Sequence, residues 1–282
     1  MIHTAKQLKD KVSNISHGDS EVAQMMIRNF IMERFLERLS LSMYNANFIL
    51  KGGMLISSLV GISTRATMDI DTSVKAIPLN ERDAAKIVDE IIKIPVEDGM
   101  YFEIVKVMRI MADFEYPGIR ITLEARLDRL KQRIKIDLST DDVITPAAIR
   151  YSYPLMFEDR KIELMCYTPE TLLAEKIQTI LARGVTTTRM RDYYDVYEIV
   201  HSNKVDIDKE VLAEAFFATC VKRKTVFSLS QIEKTIKSIS EDDNLSKLWE
   251  LYQKNNFYVG DTAWQPVCDR VCKYIAENLV EA

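Results

Sequence analysis

No stretch of the 282-residue sequence approaches the roughly 20 consecutive apolar residues that a membrane-spanning helix requires. The longest weakly polar run, from Gly52 to Ile62, falls far short. The opening residues MIHTAKQLKD carry no apolar run behind their first basic residue, so no signal peptide is read there. Cysteine is scarce. Cys166, Cys220, Cys268 and Cys272 are too few and too scattered for a disulfide framework in a chain this long. Cys268 and Cys272 can share a helix face, but no histidine lies nearby to complete a zinc site. The four read as buried thiols of a cytoplasmic protein.

Excess charge of one sign is missing too. Thirty-eight Lys and Arg against 42 Asp and Glu leave a net of −4, so no global positive field draws nucleic acid, and any basic patch must be local. Repeats, low-complexity tracts and long linkers are also absent. What is present, 47% hydrophobic and 28% charged side chains, is enough to bury a large core and excludes disorder as the dominant state.

Residues 20 to 40 read as a helix, with apolar Val22, Met25, Met26, Phe30, Phe35, Leu36 and Leu39 interleaved with Arg28, Glu33, Arg34 and Glu37. Phe48 to Leu50 is a short apolar strand that runs through Lys51 into Gly52-Gly53, and Met54 to Val60 reads as helix. Arg65 to Val74 alternates like a strand. Asn80 caps a helix to about Lys93. Three strands follow, Tyr101 to Ile110, Ile119 to Leu127 and Arg133 to Ser139, separated by a turn at Pro117-Gly118 and a basic stretch from Arg129 to Lys131. Beyond about residue 165 the pattern is helical. Thr168-Pro169-Glu170 starts a helix that Gly184 ends, and further helices cover about 189–201, 208–221, 228–240, 243–255 and 264–280.

The most informative feature is Asp69-Ile70-Asp71. In a strand these two carboxylates share a face, about 7 Å apart along the chain. At an effective dielectric near 20 they repel by about 2 to 3 kcal/mol. A hard divalent cation such as Mg²⁺ removes that penalty and leaves coordination sites for phosphate. Asp137 is a third candidate. Ile134, Ile136 and Leu138 take one face of its strand, leaving Lys135, Asp137 and Ser139 on the other. If the two strands are neighbours, three carboxylates make a two-metal phosphoryl-transfer site. The alternative is three solvated aspartates on strand faces.

Gly52 and Gly53, between strand and helix, let backbone amides approach a triphosphate at a positive helix N-terminus. Lys51 beside them is a phosphate ligand or a surface charge. Lys176, on a largely apolar helix, has the same two readings. Asp192 and Asp195 can cap, pair with Arg189 and Arg191, or position Lys176.

In order, these pieces resemble the AbiEii-type abortive-infection toxins of the DNA-polymerase-β-like nucleotidyltransferase superfamily. The matching pieces are Phe48 to Gly53, Arg65-x-Thr67-x-Asp69-Ile70-Asp71, Asp137, Leu172 to Lys176, and Arg191-Asp192-x-x-Asp195, with Arg34 to Ser40 upstream. The likeness spans about residues 30 to 200. One departure from the wider superfamily is the gap of fifteen residues between Gly53 and Asp69.

The resemblance implies an α+β fold: a polymerase-β-like nucleotidyltransferase core with a mixed β-sheet, an N-terminal helical segment and a helical C-terminal domain. The expected division is 1–165 and 166–282. It implies the toxin of a type IV toxin–antitoxin system in phage defence, transferring a nucleoside monophosphate from an NTP (GTP, CTP or UTP) to an acceptor, the 3′ end of tRNA. Asp69, Asp71 and Asp137 would hold Mg²⁺ or Mn²⁺. Lys51, Gly52, Gly53, Arg65, Thr67 and Lys176 would bind the nucleotide, and Asp192 would join Lys176 and the three aspartates in catalysis. The cognate antitoxin need not touch the toxin. Candidates to guide RNA despite the acidic total are Arg183, Arg189 and Arg191, with Lys222-Arg223-Lys224 further on, a triplet whose alternative reading is a solvated helix end. Three rival readings are an NTP-binding module that inhibits growth without transfer, a metal-dependent glycosyltransferase, and an interaction-only protein.

Overall fold

The computed structural model describes residues 1–61, 66–112 and 116–280. These fall into two compact units. The first comprises Met1–Ser58, Thr67–Asp142 and Ile149–Cys166; the second runs from Tyr167 onward and takes in Leu59–Ala66 and Val143–Ala148.

The first unit opens with helices α1 (Ala5–Ser16) and α2 (Ser20–Leu41), each started by a side-chain cap, Thr4 and Asp19 respectively. Strand β1 (Phe48–Lys51) runs into α3 (Gly52–Val60). Then come β2 (Asp69–Val74), α4 (Glu81–Ile92), β3 (Met100–Ala112), β4 (Tyr116–Leu127), β5 (Leu130–Thr140), β6 (Ile149–Pro154) and β7 (Lys161–Cys166). They form one seven-stranded sheet in the order β3-β4-β5-β2-β1-β7-β6. It is mixed, with parallel pairs β2/β5 and β1/β7 and antiparallel pairs elsewhere.

Alternation decides which face is dry. Ile119, Ile121, Leu123, Ala125, Ile134, Ile136, Leu138 and Ile70 are all buried on one side of the sheet, where α2 packs on β5 and β7 and α4 on β3. The intervening residues, among them Asp69, Asp71, Arg120 and Asp137, face the other way and stay partly accessible. The proline and glycine expected to make a turn at 117–118 instead lie inside β4, paired with Met111 and Ile110. Two strands, β6 and β7, go unread in the sequence.

Helix α2 departs from its expected polar face. Glu33, Arg34, Glu37 and Arg38 are buried, and a charged network holds the last three. Arg34 bridges Glu37 and Glu158, Arg160 pairs with Glu37, and Arg38 donates two bonds to Asp98 at 2.7 and 2.9 Å. Glu33 lies outside these pairings. Burial pushes its carboxyl up to about 8, against the pull of a hydrogen bond donated by the Met156 amide and of the neighbouring Arg34 charge. The unfolded chain ionises it near pH 4.3. Between about pH 4.3 and 8 the folded form therefore holds the extra proton, so this group's contribution is complete in acid and is lost as pH rises. Glu33→Gln should remove that loss, a gain of a few kcal/mol at pH 8. Melting temperatures from pH 5 to 9 should fall more steeply for wild type than for the variant; parallel curves would refute the assignment.

The second unit is helical: α5 (Pro169–Arg183), α6 (Met190–His201), α7 (Lys209–Lys222), α8 (Leu229–Ser240), α9 (Asp243–Asn255) and α10 (Trp264–Leu279). Thr168 caps α5, Pro169 occupies its first turn and Gly184 follows its end, as read from the sequence. Trp249, Trp264, Tyr193 and Tyr194 pack with ring centroids 5.1 to 6.5 Å apart. All four cysteines are buried and free. No helix among the described residues is long and apolar enough to cross a membrane.

Candidate functional site

The parallel pairing of β2 with β5 sets Asp71 directly opposite Asp137 and Asp69 opposite Lys135. Residues paired across strands point to the same face. The three carboxylates thus converge, each offering an oxygen within 4.8 Å of the others. At that spacing each pair of anions repels by about 3 kcal/mol at an effective dielectric near 20.

The same row of the sheet extends both ways. On β4, Arg120 pairs in register with Asp137; on β1, Lys51 pairs in register with Asp71. Four neighbouring strands therefore present Arg120, Asp137, Asp71 and Lys51 side by side, a sequence of cation, anion, anion, cation. Arg120 grips Asp137 through two bonds, Nε to Oδ1 at 2.7 Å and Nη2 to Oδ2 at 2.6 Å, and reaches Asp69 at 3.9 Å. These bonds raise the guanidinium pKa above its ordinary value. At the other end Lys51 meets Asp142 at 2.6 Å, and Ser139 donates to the same carboxylate oxygen.

Arg120 and Asp142 are site residues that the sequence reading missed. Arg120 carries only a weak signal there, one arginine in the alternation Ile119-Arg120-Ile121-Thr122-Leu123. Nothing in that alternation gives its register against Asp137.

Gly52 also has a steric role in the site that the sequence does not reveal. It has φ +63°, and a Cβ built on it would stand 2.1 Å from Oδ2 of Asp71. The missing side chain makes room for the carboxylate itself. Helix α3 begins at this glycine, so its positive end lies beside the acidic cluster. Gly53 is buried in the first turn.

The remaining expected residues are placed as follows. Thr67 is buried and its hydroxyl donates to the backbone carbonyl of Asp69 at 3.2 Å, shaping the approach to β2. Arg65 lies outside the described residues. In the second unit, Lys176 on α5 meets Asp192 at 2.8 Å and Asp195 at 2.6 Å, and Arg189 meets the other oxygen of Asp192 at 2.7 Å. Burial opposes the charge on Asp192, but Lys176 and Arg189 outweigh it and hold its pKa well below the ordinary carboxylate range. Arg223 is tied to Gln178, Thr179 and the carbonyl of Glu175.

An acid-rich donor set of oxygens alone fits a hard divalent cation, whose ligands are carboxylates, carbonyls and water. The oxygens lie only slightly farther apart than the roughly 3 to 4 Å between ligands of one Mg²⁺. Asp69, Asp71 and Asp137 therefore could hold such an ion.

Comparison with known proteins agrees with this architecture. JHP933 from Helicobacter pylori superposes with a TM-score of 0.53 at 14% identity, covering 92% of this chain and 94% of that one. A second Helicobacter pylori structure, whose nucleotidyltransferase assignment is itself provisional, gives the same score and identity over 92% of this chain and 97% of its own. At that identity the likeness shows a shared fold. No curated protein matches the chain. The profile of the family described as nucleotidyl transferase AbiEii toxin, type IV TA system, matches residues 34–271. With most of its length inside that match, the chain belongs to the AbiEii nucleotidyl transferase toxins of type IV toxin–antitoxin systems.

Proposed function

We propose that this toxin transfers a nucleoside monophosphate from an NTP to the 3′ hydroxyl of a tRNA, with Asp69, Asp71 and Asp137 holding Mg²⁺ or Mn²⁺. The observation that carries the reading is the convergence of three carboxylates from β2 and β5 within 4.8 Å. A fold seldom accepts that repulsion on one face without a use for it.

A divalent ion held there neutralises triphosphate oxygens and stabilises charge at the α-phosphorus. The chain supplies the rest. Asp69 and Asp71 would hold that ion against the triphosphate, and the α3 N-terminus at Gly52-Gly53 offers amides to the triphosphate oxygens. Arg120 fixes the plane of the Asp137 carboxylate. A carboxylate oxygen accepts more than one bond, so Asp137 retains capacity to receive the acceptor hydroxyl's proton. The hydroxyl oxygen then bonds to the α-phosphorus as the bond to pyrophosphate breaks. Lys176, oriented by Asp192 and Asp195, is proposed to neutralise the leaving pyrophosphate. The family implies a cognate antitoxin, with no direct contact required.

The test is incubation of purified protein with each of the four NTPs and total tRNA, following pyrophosphate release and RNA length. Wild type should lengthen the RNA, and Asp71→Asn should slow this at least about 100-fold while remaining folded. NTP binding with unchanged RNA would instead favour a nucleotide-binding module.

A further inference from the structure

The open face of the sheet continues beyond the acidic cluster, and its charge changes sign. On β5, every second residue from the hairpin inward points to that face: Lys131, Arg133, Lys135, then Asp137. All three cations are exposed, and none forms an ion pair among the described residues. Lys135 stands in register with Asp69 on one side and Thr122 on the other. Glu124, in register with Arg133, acts on both Lys131 and Arg133, but it is already bonded to Arg126 at 2.8 Å. At the outer end of the stripe, Tyr101 is 59% exposed and in register with Arg126, itself opposite Lys131.

We infer that this stripe, Lys131, Arg133 and Lys135, is the track along which the phosphate backbone of the acceptor RNA strand lies, leading its 3′ end to Asp137. The inference rests on the transfer reading and deepens it by assigning the acceptor a surface. Alternate strand residues lie about 6.7 Å apart, a spacing comparable with that of successive phosphates in a polynucleotide. The stripe spans about 20 Å from Lys131 to Asp137, room for several nucleotides. An exposed tyrosine at the outer end gives a base a ring to stack on.

Charge complementarity identifies the occupant. The whole chain is acidic, at −4, so a row of unpaired cations ending at the carboxylates is a local excess of the kind a polyanion recognises. From Lys131 to Lys135 the row runs about 13 Å along the strand, longer than a single triphosphate needs. A double helix has no need of a surface that converges on a single reacting atom.

The experiment measures binding in EDTA, where no transfer occurs, by fluorescence anisotropy of a labelled RNA hairpin with a single-stranded 3′ end. Three proteins are compared: wild type, the triple variant Lys131→Gln/Arg133→Gln/Lys135→Gln, and the control Lys234→Gln/Lys247→Gln, whose lysines are exposed on the helical unit. The triple variant should bind at least tenfold more weakly. Its log K against log salt should be shallower by about two, as expected for three lost contacts at roughly 0.7 each. The control should match wild type. Because the substituted side chains are exposed, melting temperatures should agree, and a triple variant that melts as wild type yet binds RNA equally well overturns the inference. A control that weakens binding as much as the triple variant also overturns it. Transfer by wild type in the tRNA assay would still stand in either case, so failure of the stripe and failure of the transfer reading remain distinguishable.

Discussion

Gly52→Ala is expected to abolish nucleotidyl transfer and growth arrest while leaving the sheet assembled. Two costs meet at this residue. Its φ of +63° is left-handed, which a side chain adopts at a cost of about 1 to 3 kcal/mol. The new methyl would also stand 2.1 Å from Oδ2 of Asp71, with the Cβ and Cγ of that residue at 2.9 Å. Neither the strand nor the helix start can yield cheaply, since Asp71 sits in register between Lys51 and Asp137. The carboxylate must rotate away, and the three-oxygen cluster opens. Transfer should fall at least about 100-fold, with a melting temperature lowered by several degrees. The measurement pairs pyrophosphate release with thermal unfolding of the same preparation. Folded Gly52→Ala protein that still lengthens RNA at the wild-type rate would show that Asp71 need not occupy its observed place.

This glycine illustrates what a sequence conveys and what it withholds. A strand, two glycines and a helix were legible as a pattern, and amide contact with phosphate was the natural reason for them. The steric reason lies in a residue nineteen positions away, visible only once β1 and β2 pair. The same holds for Arg120. Period-two alternation alone puts Asp69 with Asp71 and sets Asp137 opposite the apolar face of β5. It cannot say that β4 delivers an arginine to the same row, because register belongs to the pairing of strands and to their turns. Local signals did better: Thr168, Pro169 and Gly184 bound α5 from start to finish, since caps act through immediate neighbours. The buried charges of α2 reversed expectation because Asp98, Glu158 and Arg160, remote in sequence, complete the network that permits their burial.

Lys176→Met is expected to destabilise the second unit by about 3 to 5 kcal/mol, the cost of leaving buried carboxylates without their partner. Lys176 is 13% exposed, and Asp192 and Asp195 are 2% and 0% exposed. The Lys176 ammonium bridges both anions, and Arg189 holds the other oxygen of Asp192. The acid limb of stability should report the cluster in wild type. Asp192 has a depressed folded pKa, so its contribution is complete above the unfolded value near 3.9 and is lost as pH falls through the lower folded value. A loss of toxicity in Lys176→Met therefore has two origins that the single variant cannot separate: an unfolded unit, or a missing cation at the leaving group. Removing the stranded charge as well separates them. Lys176→Met/Asp195→Asn should recover a substantial part of the lost stability, measured by urea midpoint at pH 7, because one of the two anions that the ammonium balanced is gone. If the double variant is stable and still inactive, Lys176 acts on the phosphates. Recovery of activity along with stability would make it a scaffold residue, and would confine the reacting groups to the carboxylates, glycines and arginine of the sheet.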